Sequence, residues 1–220
     1  GYRGCEETPD KGLTRDLTYL ESDHEVSLRQ AKGKCVIWDS YVGLVGYNVL
    51  KKAKAAAYIT ASGDLLHDRN DLTHPEVRDY LVDGFNAPAV HVRAEDLAET
   101  GNLCASKVRI IVKQERHERF SHNVVATIPG RDNETIVCTA HYDSVEYSTG
   151  VYDNGSGAVC LFEIAAHFAK HKPKHTVTLV WCGSEERGLL GSKAYVSQHE
   201  TELENIKVCV NLDMIGNIMG

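Results

Sequence analysis

The sequence predicts an α/β protein: a mixed β-sheet sandwiched by helices over residues 119–220, preceded by a small α/β domain over residues 1–118. Three observations carry this. Apolar β-branched runs alternate with stretches of helical spacing in two separate series. A charged, His-bearing stretch around "KQERHERF" separates the two series. In the second series a His and several acids fall where strands are expected to end.

Residues 1–30 are polar and read as a loop followed by an edge strand. "GKCVIWDS" then reads as a strand, "YVGLVGYNVLKKAKAAA" as a helix and "AYITAS" as a strand, the order of a βαβ unit. The polar stretch "LLHDRNDLTHPEVRDYLVDGFN" is an irregular excursion. "APAVHV" and "RAEDLAETG" supply a further strand and a short helix closed by Gly101, and "SKVRIIV" runs up to the boundary. Beyond it "HNVVATIPG" and "TIVCTAH" are β-branched runs. In residues 154–171 Ala158, Leu161, Phe162, Ala165 and Phe168 keep helical spacing, with Glu163, His167, Lys170 and His171 on the other face. "TVTLVWCG" is a strand, "GLLGSKAYVSQHETELENI" a helix and "KVCVNLDMIG" a strand.

Composition removes several classes of function. A net charge of −7 over 220 residues lacks the clustered Lys/Arg surface that a nucleic-acid partner requires. No apolar stretch approaches the ~20 residues of a membrane-spanning helix. Seven cysteines without CxxC spacing, most of them inside apolar runs, read as buried thiols, which favours a reducing, cytoplasmic compartment. The start "GYRGCEETPDKGL" has neither an initiator Met nor a signal-peptide pattern and leaves export open.

The chemistry concentrates after residue 140. His141 and Asp143 follow one strand, Asp153 lies in a glycine-flanked turn opening a helix, Glu185 and Glu186 follow the next strand, and Asp213 follows the last. Functional groups of open α/β sheets gather at the carboxyl ends of strands, so these residues are expected to share one crevice. Five carboxylates in one small volume cannot all stay ionised without strong positive compensation. Two divalent metals supply it, and mixed His and carboxylate ligation suits zinc, one carboxylate bridging ions about 3.5–4 Å apart.

Taken in order, "AHYDSV", "GVYDNGSGAV", "SEERGLLGSKAYV" and "NLDMIG" resemble the co-catalytic zinc aminopeptidase family that also includes glutamate carboxypeptidase-like enzymes. The resemblance covers residues 122–220 and implies a zinc-exopeptidase-like fold with two zincs per complete site. It implies that His141, Asp153 and Asp213 hold one zinc, that Asp153 bridges to a second zinc held by Glu186, and that the Asp153–Asn154 peptide is cis. It also implies that Glu185 is the general base toward a metal-bridged water attacking a peptide carbonyl, and that Asp143 assists by orienting His141. Two residues from His141 on a strand end, the Asp143 carboxylate is expected to accept the imidazole N–H. Glu185 and Glu186 are expected to point in different directions on an extended segment. The first region, through "GKCVIWDSYVGLVGYNVLKKAKAAAYIT" and "APAVHV", resembles the protease-associated domain that many such peptidases carry.

The implied partner is a peptide and the implied reaction that of an aminopeptidase. The alternatives are a carboxypeptidase of the glutamate carboxypeptidase type and a non-catalytic, receptor-like protein retaining the fold. Against the last, every ligand or base position present keeps its residue type. One further His, completing the second zinc site, is expected downstream of "NLDMIG", beyond Gly220. The sequence leaves the oligomeric state undetermined. Each piece alone is ordinary, "DNGSG" as a helix-capping turn and "EE" as a solvated pair. His91 is expected to be a satisfied core residue, the other histidines solvated, and Cys182 a thiol packed under the sheet.

Overall fold

A computed structural model describes residues 2–38, 42–63, 75–77, 84–101, 106–115, 117–146 and 148–216. The chain divides into two compact units, Gly1–His117 and Glu118–Gly220.

The first unit is built on strands β1 (Leu13–Tyr19), β2 (Cys35–Ile37), β3 (Ala57–Ser62), β4 (Ala89–Arg93) and β5 (Lys107–Ile110), in the order β4-β3-β2-β1-β5. Helices α1 (Glu25–Ala31), α2 (Leu44–Ala53) and α3 (Ala94–Gly101) connect them. β1 is not the edge strand expected from its polar sequence. Its first half, Leu13 to Asp16, pairs antiparallel with β5, and its second half, Leu17 to Tyr19, pairs parallel with β2. Each half therefore has one partner strand, and a single buried residue, Leu17, anchors it. α1 was not expected, because seven residues with only Ala31 buried leave no apolar period to read. Most of the expected excursion, residues 65–74 and 78–83, lies outside the described residues. The core gathers Tyr58, Leu20, Ile37 and Leu50 around buried Cys35. His91 is satisfied as expected: its ring nitrogens lie 2.8 Å from Thr60 Oγ1 and 2.9 Å from Ser62 Oγ.

In the second unit β6 (Val124–Ile128), β7 (Thr135–His141), β8 (Thr176–Cys182) and β9 (Ile206–Asn211) form a sheet in the order β6-β8-β7-β9. β7, β8 and β9 run parallel, so their carboxyl ends lie at one pole, and β6 closes one side antiparallel. α4 (Ser156–Lys170) packs Ala158, Leu161, Ile164, Ala165 and Phe168 over Cys138, Ala140, Leu179 and Trp181. Phe162, expected on that stripe, is 61% exposed; it stands one position round the helix, its ring tilted against that of Trp181 with the centroids 4.8 Å apart. α5 (Leu190–Gln198) lays Tyr195 on the opposite face with Val137, Val180 and Cys182. The single long helix expected there ends at Gln198 and continues as a 3₁₀ segment, Glu200–Asn205.

Two glycines allow close approaches that any side chain would block. A Cβ on Gly157 would fall on the Leu212 carbonyl, and one on Gly191 on the Gly183 carbonyl. The first brings the start of α4 against the end of β9, and the second brings α5 against the end of β8.

Leu161 is fully buried at the centre of the α4 contact, and Trp181 in the same cluster donates its Nε1–H to the Ala158 carbonyl at 3.0 Å. In a Trp38→Phe background, Leu161→Ala is expected to lower the unfolding free energy of this unit by about 2–5 kcal/mol. The measurement is urea unfolding followed by Trp181 emission. A change below about 1 kcal/mol would show that this contact does not hold the unit together.

Candidate metal centre

The carboxyl pole of the parallel strands delivers the functional side chains. His141 ends β7 and is 4% exposed, with Asp143 two residues on. Asp153 lies in the turn Val151–Gly155 ahead of α4, where Asp153 and Asn154 leave helical dihedrals and the peptide bond between them is cis. Glu185 and Glu186 follow β8, and Asp213 follows β9.

These groups converge on one imidazole nitrogen. His141 Nδ1 lies 2.9 Å from the Asp143 carbonyl oxygen; a carbonyl only accepts, so Nδ1 carries a proton and Nε2 is the nitrogen that faces the crevice, where it offers a lone pair whenever the ring is neutral. Around Nε2 lie Asp153 Oδ1 at 3.0 Å, Asp213 Oδ1 at 3.6 Å and Glu185 Oε2 at 3.9 Å. Donor atoms of His141, Asp153 and Glu186 all fall within 4.8 Å of one another.

Two details differ from the sequence expectation. The Asp143 carboxylate is not the acceptor of the imidazole proton, since its Oδ1 stands 3.6 Å from Nδ1 while the backbone carbonyl sits closer. Its oxygens accept the backbone N–H of Glu185 at 2.9 Å and of Glu186 at 3.2 Å. Nor is the Glu185–Glu186 segment extended. Ser184 adopts a positive φ of 55°, and the Glu185 carbonyl accepts from Gly188 and Leu189 N–H, so the chain turns and both acids face the same crevice.

Electrostatics mark the site as under-compensated. Burial pushes the Glu185 carboxyl up, with Asp213, Asp143 and Asp153 adding to the rise against the opposing pull of His141. Glu186 is raised by burial and then by Asp153 and Glu185. Burial opposes the charge on His141, yet the Asp143 carbonyl and the surrounding carboxylates raise its pKa. Glu186 Oε1 is buried without a hydrogen-bond partner, an orphan that costs free energy unless something binds it. Ligand atoms about 2.0–2.2 Å from a tetrahedral ion stand about 3.4 Å apart, close to the 3.0 and 3.6 Å separations around Nε2. The donor set and the orphaned oxygen both fit a divalent cation.

Two asparagines, of which sequence reading passed over Asn123, hold these segments. Asn123 donates to the Gly191 carbonyl at 2.8 Å and accepts from Gly183 N–H at 3.1 Å, bracketing the turn that carries Glu185 and Glu186. Asn154 accepts from Gly157 N–H at 3.0 Å, so the capping reading of "DNGSG" also holds. For Asn123 the sequence offered no signal, because its partners are about 60 residues away.

Elsewhere Cys182 packs beneath the sheet as expected, its thiol pushed up by burial to about 11. His175, expected to be solvated, is half-buried and lies 3.0 Å from Asp132 Oδ1 and 3.1 Å from Glu134 Oε2, with Lys207 also 2.6 Å from Glu134. His167 and His171 are exposed and in ring contact, and His199 stacks on Tyr195. His67 and His74 lie outside the described residues.

A sheet whose three parallel strands carry an imidazole and acids at their carboxyl pole has the arrangement of a divalent-metal centre. The chain matches Peptidase family M28 over residues 123–219, most of its second unit. It is 32% identical to an aminopeptidase of Pseudomonas aeruginosa over 77% of this chain and 33% of that protein. It is 31% identical to a probable leucine aminopeptidase 2 of Aspergillus oryzae over 96% of this chain and 43% of that protein. Among solved structures, BSAP, a zinc aminopeptidase from Bacillus subtilis, aligns with a TM-score of 0.76 at 26% identity, covering 97% of this chain and 52% of that one. The chain thus spans about half or less of the length of these relatives.

The raised groups give the metal-free unit a definite pH response. Each binds its proton more tightly folded than unfolded, so its contribution is full below the ordinary value, 4.5 for the glutamates and 6.5 for His141, and is lost as pH rises through the folded value. With chelator present, stability measured through Trp181 is expected to fall from about pH 5 to pH 8. A saturating divalent cation should flatten or reverse the slope. Rising stability of the metal-free unit across that window would contradict the assignment.

Proposed function

We propose that the second unit carries the greater part of a zinc aminopeptidase active site, and that the whole protein removes N-terminal residues from peptides. The observation that carries this is the convergence of Asp153, Asp213 and Glu185 on His141 Nε2, beside the unpartnered Glu186 oxygen, within a unit that matches family M28. The names of the relatives favour an aminopeptidase over a carboxypeptidase.

His141, Asp153 and Asp213 would hold one zinc, and Asp153 with Glu186 would contribute to a second. Bound zinc would polarise the scissile carbonyl and make a water acidic enough to attack near neutral pH. Glu185 is the general base: it accepts the water proton and returns it to the leaving amine, and its burial-raised affinity for protons suits both transfers. Asp143 holds base and ligand in place through the two backbone N–H groups it binds. His141 keeps its lone pair on the crevice because the Asp143 carbonyl holds the Nδ1 proton. We read the first unit as a protease-associated-type domain; its five-stranded α/β sheet supports this.

In the whole protein, hydrolysis of an aminoacyl p-nitroanilide should cease on chelation and return with zinc. Activity surviving exhaustive metal removal would refute the proposal. Glu185→Gln should keep its zinc while turnover falls by at least about 10²-fold, whereas Asp153→Asn should lose zinc. Equal metal loss in the two variants would overturn the division of roles. The 220-residue chain by itself is expected to bind about one zinc tightly, because three of its side chains complete only the first site. Two equally tight zincs would show that another group supplies the missing ligand.

A further inference from the structure

Asn154 is 1% exposed, and both ends of its amide are used. Nδ2–H donates to the Leu212 carbonyl at 2.9 Å, and Oδ1 accepts from Met214 N–H at 3.2 Å as well as from Gly157 N–H. Leu212 and Met214 are the two neighbours of Asp213. The regular ladder of β9 on β7 ends just before them, with Leu212 N–H donating to the Thr139 carbonyl at 2.8 Å. Past that bond a side-chain amide takes over, offering the donor and acceptor pair that a peptide group would offer in a strand. Ser156 extends the contact, its Oγ accepting from Ile215 N–H at 3.1 Å and donating to the Tyr152 carbonyl at 2.8 Å. The absent side chain of Gly157 lets the two segments meet.

We infer that Asn154 is a positioning residue for the metal centre: it fixes Asp213 relative to Asp153, which precedes it in the chain. This rests on the reading of His141, Asp153 and Asp213 as one zinc site. Asp153 is tied to Asn154 covalently, and Asp213 is tied to it by hydrogen bonds on both sides. The two carboxylates repel one another, so without such a clamp the segment after β9 would swing Asp213 away. A neutral amide is suited to the task, because an aspartate would add another negative charge and could not donate to Leu212, and a serine could not reach both flanks.

The test is zinc titration of the 220-residue chain against a competing chromophoric chelator, with variants combined in pairs. Asn154→Ala is expected to weaken zinc binding by about tenfold or more, the lower end for a partner that orients ligands. Asp213→Asn should weaken it too, and the double variant should be no weaker than Asp213→Asn alone, because Asp213 already contributes little once released. Paired with Glu186→Gln, the Asn154 loss should simply multiply. A purely structural role would shift the urea midpoint without this selectivity, and multiplying losses for Asn154 with Asp213 would overturn the inference. Should Asn154→Ala fail to fold, the near-isosteric Asn154→Asp, which loses the donated bond, is held to the same coupling with Asp213. Absence of zinc binding by the unsubstituted chain would refute the metal reading instead. The clamp is then decided by hydrogen exchange at Met214 N–H, which Asn154→Ala should speed by about tenfold or more if the bond is made. Unchanged exchange would overturn it.

Discussion

Repulsion among carboxylates crowded round one buried imidazole is the constraint on which the second unit depends. Asp153, Asp213 and Glu185 come within 4 Å of His141 Nε2, Glu186 and Asp143 stand behind them, and burial makes every shared charge costlier. No such cluster forms by chance collapse. Each acid must be held by something that does not depend on the acid's own preference, and the structure shows three such devices: parallel strands that end together, glycines that let turns approach, and polar side chains that clasp backbone.

The division of labour among these devices is clear. The sheet supplies coarse placement, since three parallel strands put three chain exits at one pole. Burial of Leu161 of α4 against Leu179 and Ala140 of the sheet supplies the free energy that keeps the exits there. The clasps supply the last ångström. Asp143 holds the Glu185–Glu186 turn, Asn123 holds its two ends, and Asn154 holds the segment of Asp213. All three address backbone groups, so they fix where a carboxylate starts without competing for its oxygens.

How much of this could be read from residues alone follows from the range of each interaction. The strands β6 to β9 and helix α4 were legible because burial imposes a period on sequence, and so were the acids at their ends. Phe162 misled, because a period assigns a face but not the width of the buried stripe. β1 misled for a related reason: a strand that changes partner midway buries little on either half and looks like an edge. The Asp143 carboxylate was legible as belonging to the site but not as a backbone clasp, because its partners are some 40 residues away. The turn at Ser184 depends on a positive φ that nothing in "CGSEER" announces.

The opposite pole of the same sheet shows why residue type alone does not define a metal centre. Asp132, Glu134 and His175 offer the same kinds of donor within a similar span. There, however, the protein supplies a cation of its own. Lys207 pairs with Glu134 at 2.6 Å, and both acids reach His175. Asp132 lies below its usual pKa, since its bonds to His175 and to Glu134 N–H outweigh the burial that opposes them. At the carboxyl pole the sign is reversed: Glu185 and Glu186 lie above their usual values and one buried oxygen has no partner. A cluster that lowers the pKa of its acid has found its partners within the protein, whereas one that raises its acids and leaves an oxygen orphaned is arranged for a charge that comes from outside.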